Sequence, residues 1–533
     1  MTVVPDVPPL DAATRARRRT TWPNLVARHA FQQPEKPAFR WQGDTITWRQ
    51  FQERASRFAD ALYAEGVRKG DRVALLTFNR PEFLDAVVGA QQLGAIAVPF
   101  NFRLTPPELA VLLGDAEPAV VVVDAALLPS LQAALADADI APRVVVTAAS
   151  DAPAAGVTWE DFVGADHPEH PVVDVAEDDP ALIMFTSGTT GRPKGAVLSH
   201  LNLHGNGVTC LRAWQSNDDD ITLLGTPLFH IGGLGVFSGA VLAGATVVLQ
   251  PTAAFDAGET LDLMRDEHVT GTFLVPAQWQ AMVAEQSRSP RDLQLRVLSW
   301  GAAPATEQLL RGMTQAFPGG ANVAVFGQTE MSPVTCMLGE RDAIRKLGSV
   351  GKPISTLATR VVDPLGQDVA PGEVGEILYR GPTQMLGYWR QPEATSAAFE
   401  GGWFHSGDLV RVDDEGFVYV IDRVKDMVIT GGENVYCVEV ENALADHPDI
   451  AEVTVVGRPH DKWGETVVAV AALRPGASLT IEQLRDFADG RLARYKQPTE
   501  LHLLDALPRN ASGKVVKATL RQQVAADEGT VQQ

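Results

Sequence analysis

Along residues 20–200, short apolar runs alternate with polar, helix-opening punctuation. Val73-Ala-Leu-Leu76 is an apolar run of strand length, and Asn79-Arg80-Pro81-Glu82 after it puts a proline just inside a helix start. The run 95–99 predicts another strand. Thr105-Pro-Pro-Glu108 has the spacing of a capping box and opens the next helix, and 119–123 is strand again. Apolar residues 181–185 predict a buried strand, and Ala196-Val197-Leu198 a second one after a Gly/Thr-rich loop. This alternation, which recurs through 221–330, predicts an α/β fold of helices packed on mostly parallel sheets. From 348 to 421 the pattern changes to short strands with Gly/Pro turns, as in Gly372-Glu-Val-Gly-Glu-Ile-Leu-Tyr379, and predicts a β subdomain.

Past 422–426 the pattern predicts a helix at 436–445, strands at 450–456 and 467–473 and a helix at 481–492, enough for a small separate α+β domain. The expected division is therefore 1–422 and 423–533. Residues 221–255 contain no Asp, Glu, Lys or Arg, a length sufficient to cross a bilayer. Pro227, Pro251 and several glycines interrupt them, so they read as buried core, with Gly235-x-x-x-Gly239 as a close helix-packing pair.

With 533 residues the chain exceeds one typical core. Its 45 Lys and Arg against 66 Asp and Glu give a net charge of −21, which argues against a nucleic-acid partner and obliges any anionic ligand to find local positive charge. Cys210, Cys336 and Cys437 are too few and too dispersed for a disulfide framework or zinc site, which fits a reducing cytoplasm. Residues 1–20 lack an apolar core segment, so no secretory signal is expected, and Arg15, Arg17, Arg18 and Arg19 read as a solvated helix start.

The chemistry concentrates in 186–195, Thr-Ser-Gly-Thr-Thr-Gly-Arg-Pro-Lys-Gly. Glycines let backbone N–H groups approach a polyphosphate, hydroxyls donate to its oxygens, and Arg192 and Lys194 supply charge. Lys194 follows Gly191 by three with Gly195 next, so the loop is not a Walker A motif.

Six further segments follow in order: Pro227-Leu-Phe-His230-Ile-Gly-Gly233, Trp300-Gly-Ala-Ala-Pro304, Phe326-Gly-Gln-Thr-Glu330, Trp403-Phe-His-Ser-Gly-Asp408, Asp422-Arg-Val-Lys425-Asp426 and Pro508-Arg-Asn-Ala-Ser-Gly-Lys514. Order and spacing resemble the AMP-forming acyl-CoA synthetases, the adenylate-forming superfamily, over nearly the whole chain. The wording of 326–338 and 402–409 is most similar to actinobacterial fatty-acid–CoA ligases.

The resemblance implies a large N-terminal domain with a β subdomain, then a small mobile C-terminal lid. It implies ATP and Mg²⁺ as cofactors, CoA as co-substrate, and a small carboxylic acid as the other partner; a homodimer is compatible with it. By the same resemblance Thr186, Ser187, Gly188, Thr189, Thr190, Gly191 and Lys194 hold the β- and γ-phosphates. Thr329 reaches the α-phosphate, and Glu330, with Thr186, coordinates Mg²⁺. Gly301, Ala302 and Ala303 form a slim wall for adenine and Phe326 a ring against it, followed by Gly327 and Gln328. Asp408 and Arg423 approach the ribose. Lys514 reaches the carboxylate and α-phosphate oxygens during adenylation. Lys425 is the hinge on which the lid turns to present Gly431, Gly432 and Trp463 to CoA, while Gln497 stands where some relatives carry a cation.

Segments 227–240, 297–304 and 325–338 are expected to line the acid pocket. His230, assigned a catalytic position, stands where amino-acid-activating relatives carry an Asp. The three segments hold no Arg or Lys, and Glu330 is their only formal charge. A buried ammonium or second carboxylate would be left unpaired there. Leu234, Val236, Phe237, Val325, Met331, Pro333 and Val334 suit a neutral apolar acyl group instead. A medium- or long-chain fatty acid is the leading expectation, with an aryl acid, or transfer to a carrier-protein thiol, as alternatives.

Overall fold

The computed structural model describes residues 10–148, 156–186, 193–252, 255–509 and 515–526. They divide into two compact units. One holds the residues up to 186 with Pro193–Ala358 and Arg380–Gly402; the other holds Thr359–Tyr379 and the residues from Trp403 on.

The first unit is α/β, with two large sheets. In one, the strands run Gly387–Tyr388, Lys194–Ser199, Pro180–Thr186, Ile96–Pro99, Arg72–Leu76, Val120–Asp124, Arg143–Thr147 and Val157–Thr158. The members from Pro180–Thr186 to Val157–Thr158 are parallel, and the two at the other edge are antiparallel. Its helices start where the sequence places them. Pro81–Gln92 has its proline in the first turn, and at Pro106–Ala116 the Glu108 carboxylate accepts from Thr105 N and Oγ1, both at 2.8 Å. The second sheet runs Lys352–Pro353, Val334–Leu338, Ala321–Gly327, Val297–Gly301, Gly271–Leu274, Ile221–Leu224, Thr246–Leu249, Pro37–Trp41 and Asp44–Thr47, parallel through its six inner members.

The uncharged stretch 221–255 supplies two strands and the thirteen-residue helix Ile231–Ala243, buried within this unit. No helix among the described residues is long and apolar enough to cross a membrane. Gly239 lies against Cys210 of helix His200–Trp214, where a Cβ would come within 2.7 Å of its Cβ. Arg15 and Arg19 pair with Asp174 and Arg19 also with Glu177, while Arg17 and Arg18 are exposed at the end of helix Ala12–Arg17. None of the three cysteines forms a disulfide, and all three are buried.

The second unit contains a four-stranded antiparallel sheet, Ala358–Val362, Val374–Arg380, Phe404–Val412 and Val418–Arg423, which is the expected β subdomain. It also contains a five-stranded sheet of Glu433–Val435, Val428–Thr430, Gly464–Leu473, Ile450–His460 and Glu500–Leu503, packed with helices Cys437–Ala445, Ile481–Ala488 and Lys517–Ala526. The helix expected at 481–492 stops at Ala488, and a turn through Gly490 (φ +72°) follows. The expected division at 422/423 falls inside this unit, within strand Val418–Arg423.

Candidate nucleotide and acid site

In sheets with parallel strands, ligands sit beyond the strands' carboxyl ends. In the first unit the expected site residues stand at such ends: Thr186, Gly301 and Gly327 each end a strand, and Thr226–His230 follow Ile221–Leu224. Thr186 and Lys194 are cross-strand partners, with Thr186 Oγ1 donating to the Lys194 carbonyl at 3.3 Å, so the phosphate loop is closed by an antiparallel pair rather than by a helix. Ser187, Gly188, Thr189, Thr190, Gly191, Arg192 and Lys514 lie outside the described residues.

Two glycines of the expected adenine wall are held against backbone. A Cβ on Gly301 would stand 2.3 Å from the Val325 carbonyl oxygen, and one on Gly327 only 1.8 Å from that of Pro333, so neither position admits a side chain. Ala302 (φ +65°) and Ala303 turn outward after the strand and are exposed. Phe326 is half-buried, opposite Cys336. Gln328 N donates to Pro333 O at 2.9 Å, while its buried amide nitrogen Nε2 finds no partner among the described residues, an unsatisfied donor beside the expected nucleotide.

Thr329–Met331 form a short 3₁₀ turn closed by Ser332 in the left-handed region (φ +73°). Its Glu330 is half-buried, and Tyr388, absent from the sequence reading, reaches it: the phenol donates to Glu330 Oε1 at 3.0 Å. Burial, and then the adjacent Glu330 carboxylate, hold that phenol far above its ordinary pKa, so it remains a donor. The other face of the contact is a cation: Lys194 Nζ stands 4.9 Å from the centre of the Tyr388 ring. The backbone reinforces the link, since Met385 N donates to Glu330 O, Leu386 N to Val197 O and Trp389 N to Gly195 O. Tyr388 thus brings together Lys194 and Glu330, which leave different sheets.

Glu330 fits a hard cation. Its Oε2 has no hydrogen-bond partner among the described residues, and no cluster of three or more His, Cys, Asp or Glu side chains there could hold a metal without other ligands. Such a site matches Mg²⁺, which takes one or two carboxylates plus substrate phosphates.

On the acid side, His230 caps helix Ile231–Ala243: its Nδ1 accepts from Gly232 N at 3.0 Å, which leaves Nε2 to carry the proton of the neutral ring. Gly235 of that helix meets Pro333, whose Cδ would lie 3.0 Å from an added Cβ. Phe237, expected in that lining, is enclosed by aromatic rings. It is fully buried in an aromatic cluster with Trp22, Phe39 and Phe51, with the Trp22 ring edge-on at 5.0 Å.

In the second unit, Asp408 is neither a solvated turn residue nor separate from Arg423. The two are cross-strand partners, Arg423 Nε donates to Asp408 Oδ1 at 2.7 Å, and Asp408 is buried while Arg423 keeps about a third of its side chain (37 %) in solvent. The preceding turn is held by Glu376, which accepts from Gly407 N at 2.8 Å and pairs with His405 at 2.9 Å. The carbonyl of the expected hinge, Lys425, accepts from Arg521 of the last helix at 3.1 Å, and Arg521 also pairs with Asp426 at 2.7 Å. Gly431 (φ +61°) and Gly432 (φ +85°) form a left-handed hairpin tip. Gly431 N donates to Trp463 O, and the half-exposed indole carries the Lys462 ammonium 4.5 Å from its ring. Gln497 is buried with its amide on Leu492 O, so no cation stands at that position.

Residues 26–389 match the family described as AMP-binding enzyme, and residues 439–514 match the AMP-binding enzyme C-terminal domain. The chain belongs to the AMP-binding enzymes. This AMP-binding enzyme is 41 % identical to an indoleacetate–CoA ligase of Aromatoleum aromaticum, over 94 % of this chain and 97 % of the relative. It is 39 % identical to a feruloyl-CoA synthase of an Amycolatopsis species (94 % and 98 % covered) and 36 % identical to the long-chain-fatty-acid–CoA ligase FadD13 of Mycobacterium tuberculosis (90 % and 93 %). Among solved structures it is similar to the Bacillus subtilis o-succinylbenzoate CoA synthetase in complex with its acyl-adenylate, with TM-score 0.82, 31 % identity and 96 % and 99 % of the two chains covered. The large α/β part with parallel sheets and the smaller C-terminal part of the AMP-binding enzyme agree with that likeness.

Proposed function

We propose that this enzyme activates a neutral, apolar carboxylic acid with ATP and Mg²⁺ and passes the acyl group to CoA. The carboxylate oxygen attacks the α-phosphorus and pyrophosphate leaves; the CoA sulfur then attacks the acyl carbonyl and AMP leaves. The observation that supports the reading is the convergence of Lys194 and Glu330 on Tyr388, a cation and a metal-competent carboxylate side by side, as a metal-bound triphosphate would require.

In this reading Thr186 and Lys194 hold phosphates, Glu330 holds Mg²⁺, and the cation offsets the charge on the departing pyrophosphate. Gly301, Phe326 and Gly327 frame adenine, Asp408 takes the ribose hydroxyls with Arg423 fixing its carboxylate, and residues 423–533 act as a lid that carries Lys514. His230 N–H at Nε2 faces the acid side as a donor.

An aryl-substituted acid is the favoured substrate. The two most identical relatives named above are an indoleacetate–CoA ligase and a feruloyl-CoA synthase. A fatty acid is the second reading, supported by the FadD13 ligase and by the uncharged lining. A panel of indole-3-acetic, phenylacetic, ferulic and saturated C2–C18 acids, followed for pyrophosphate and AMP with and without CoA, separates them. CoA-dependent AMP with the aryl acids is expected. A peak among the saturated acids would replace the aryl reading with the fatty one. Pyrophosphate that CoA does not accelerate would move the acceptor to a carrier-protein thiol, and no turnover with any acid would end the proposal.

A further inference from the structure

We propose that Tyr388 is a positioning residue for the metal–nucleotide complex, holding Glu330 through its hydroxyl and Lys194 through its ring. The inference rests on the reading of Glu330 as the Mg²⁺ ligand, and it adds a residue that neither the loop nor the Phe-Gly-Gln-Thr-Glu segment contains.

The geometry explains why one side chain does both jobs. A carboxylate on a 3₁₀ turn has freedom about its last torsion, and a metal needs one oxygen turned outward. The Tyr388 hydroxyl, 3.0 Å from Oε1, removes that freedom and leaves Oε2 for the cation. The same ring presents its face to Lys194 Nζ at 4.9 Å, so an ammonium on a flexible stem is held at the exit of the phosphate loop before nucleotide arrives. The ring cannot drift. Gly387 and Tyr388 pair with Val197 and Ala196 in the strand that leaves the loop, Tyr388 N donates to Thr395 Oγ1 at 2.9 Å, and Met385 N holds the Glu330 carbonyl at 2.8 Å. Partners of this kind behind a metal ligand affect metal affinity by about 10- to 100-fold.

The two functions are separable by substitution. Tyr388→Phe keeps the ring and its packing and removes only the hydroxyl; Tyr388→Leu removes both. The measurement is calorimetric binding of α,β-methylene-ATP to the full-length protein, with excess Mn²⁺ and again in EDTA, on wild type, both Tyr388 variants and Glu330→Gln, each checked for an unchanged thermal transition. For Tyr388→Phe, binding in EDTA should stay within twofold of wild type while the Mn²⁺-dependent gain in affinity falls about tenfold. Tyr388→Leu should lose the same gain and also bind the metal-free analogue several-fold more weakly. A wild-type gain in Tyr388→Phe alongside a lost gain in Glu330→Gln would overturn the role of Tyr388 and leave Glu330 as the ligand. A wild-type gain in Glu330→Gln would overturn the reading of Glu330 and the proposal with it. Equal weakening of Tyr388→Phe with and without metal would show a general packing role and also overturn it.

Discussion

Asp408 and Arg423 form an ion pair whose two members face unequal surroundings, and that inequality has a measurable sign. Removing Arg423 leaves a buried carboxylate without its guanidinium, whereas removing the Asp408 charge leaves a guanidinium that still reaches water. Arg423→Met should therefore cost stability of roughly 3 kcal/mol, the lower end for a broken buried pair, and Asp408→Asn about 1 kcal/mol. Chemical denaturation of the two variants compares them directly; equal losses would mean that other groups carry Asp408. Both should raise KM for ATP, because the carboxylate proposed to bind the ribose loses its charge in one and its orientation in the other. Lys514 gives a second residue-scale test. Lys514→Ala should slow acyl-AMP formation by 10²–10³-fold or more while sparing thioester formation from supplied acyl-AMP. A similar loss in both half-reactions would remove Lys514 from the adenylation step.

Among the elements, the strand ends matter more than the strands. At Gly327 an added methyl meets backbone on a turn that is itself hydrogen-bonded to Gln328, so neither side can yield. Gly327→Ala should cost about 3 kcal/mol or more and lower nucleotide affinity. Gly114, inside helix Pro106–Ala116 with nothing within 4 Å of an added Cβ, is the opposite case, and Gly114→Ala should stabilise by roughly 0.5–1 kcal/mol. Thermal or denaturant melts of the pair check both signs. Much at this scale was legible in the sequence, because it is local: the apolar runs at 73–76, 119–123 and 181–185 are strands, and the proline and capping-box signals open helices where they stand. The aromatic contacts of Phe237 were not legible, for an equally local reason. Helix Ile231–Ala243 is buried on nearly all sides and lacks a polar stripe, so periodicity could not say which side meets the aromatic cluster. Tyr388 was invisible because its hydroxyl partner lies 58 positions away and its cation on another strand; only tertiary structure brings the three together.

For the molecule as a whole, two buried groups in the first unit tune stability with pH in opposite directions. Asp85 is fully buried with Oδ1 unpartnered among the described residues; burial pushes its carboxyl up to about 7, against the pull of Arg54 at 2.6 Å. The folded state keeps that proton long after the unfolded chain has lost it near 3.8, so this stabilisation is full at low pH and fades as pH rises to about 7. His200 is buried with neither ring nitrogen partnered among the described residues, and burial depresses it to about 4 despite nearby Asp179 and Glu177. An unfolded chain takes that proton near 6.5, so this contribution is full above 6.5 and is lost as pH falls to about 4. Between about pH 4 and 6.5 the two slopes, each ~1.4 kcal/mol per pH unit, oppose each other. Measured against wild type by urea denaturation, Asp85→Asn should gain relative stability as pH rises through that window, and His200→Gln should lose it. Parallel curves for either variant would mean that its group does not titrate differently on folding. The segment from Met385 to Trp389 has a further consequence. Its amides close on Glu330, Val197 and Gly195, so opening the segment as a unit releases both ends of the proposed phosphate site at once. In native-state amide exchange, Met385, Leu386 and Trp389 should therefore share one opening free energy, and nucleotide bound at either end should slow all three by the same factor.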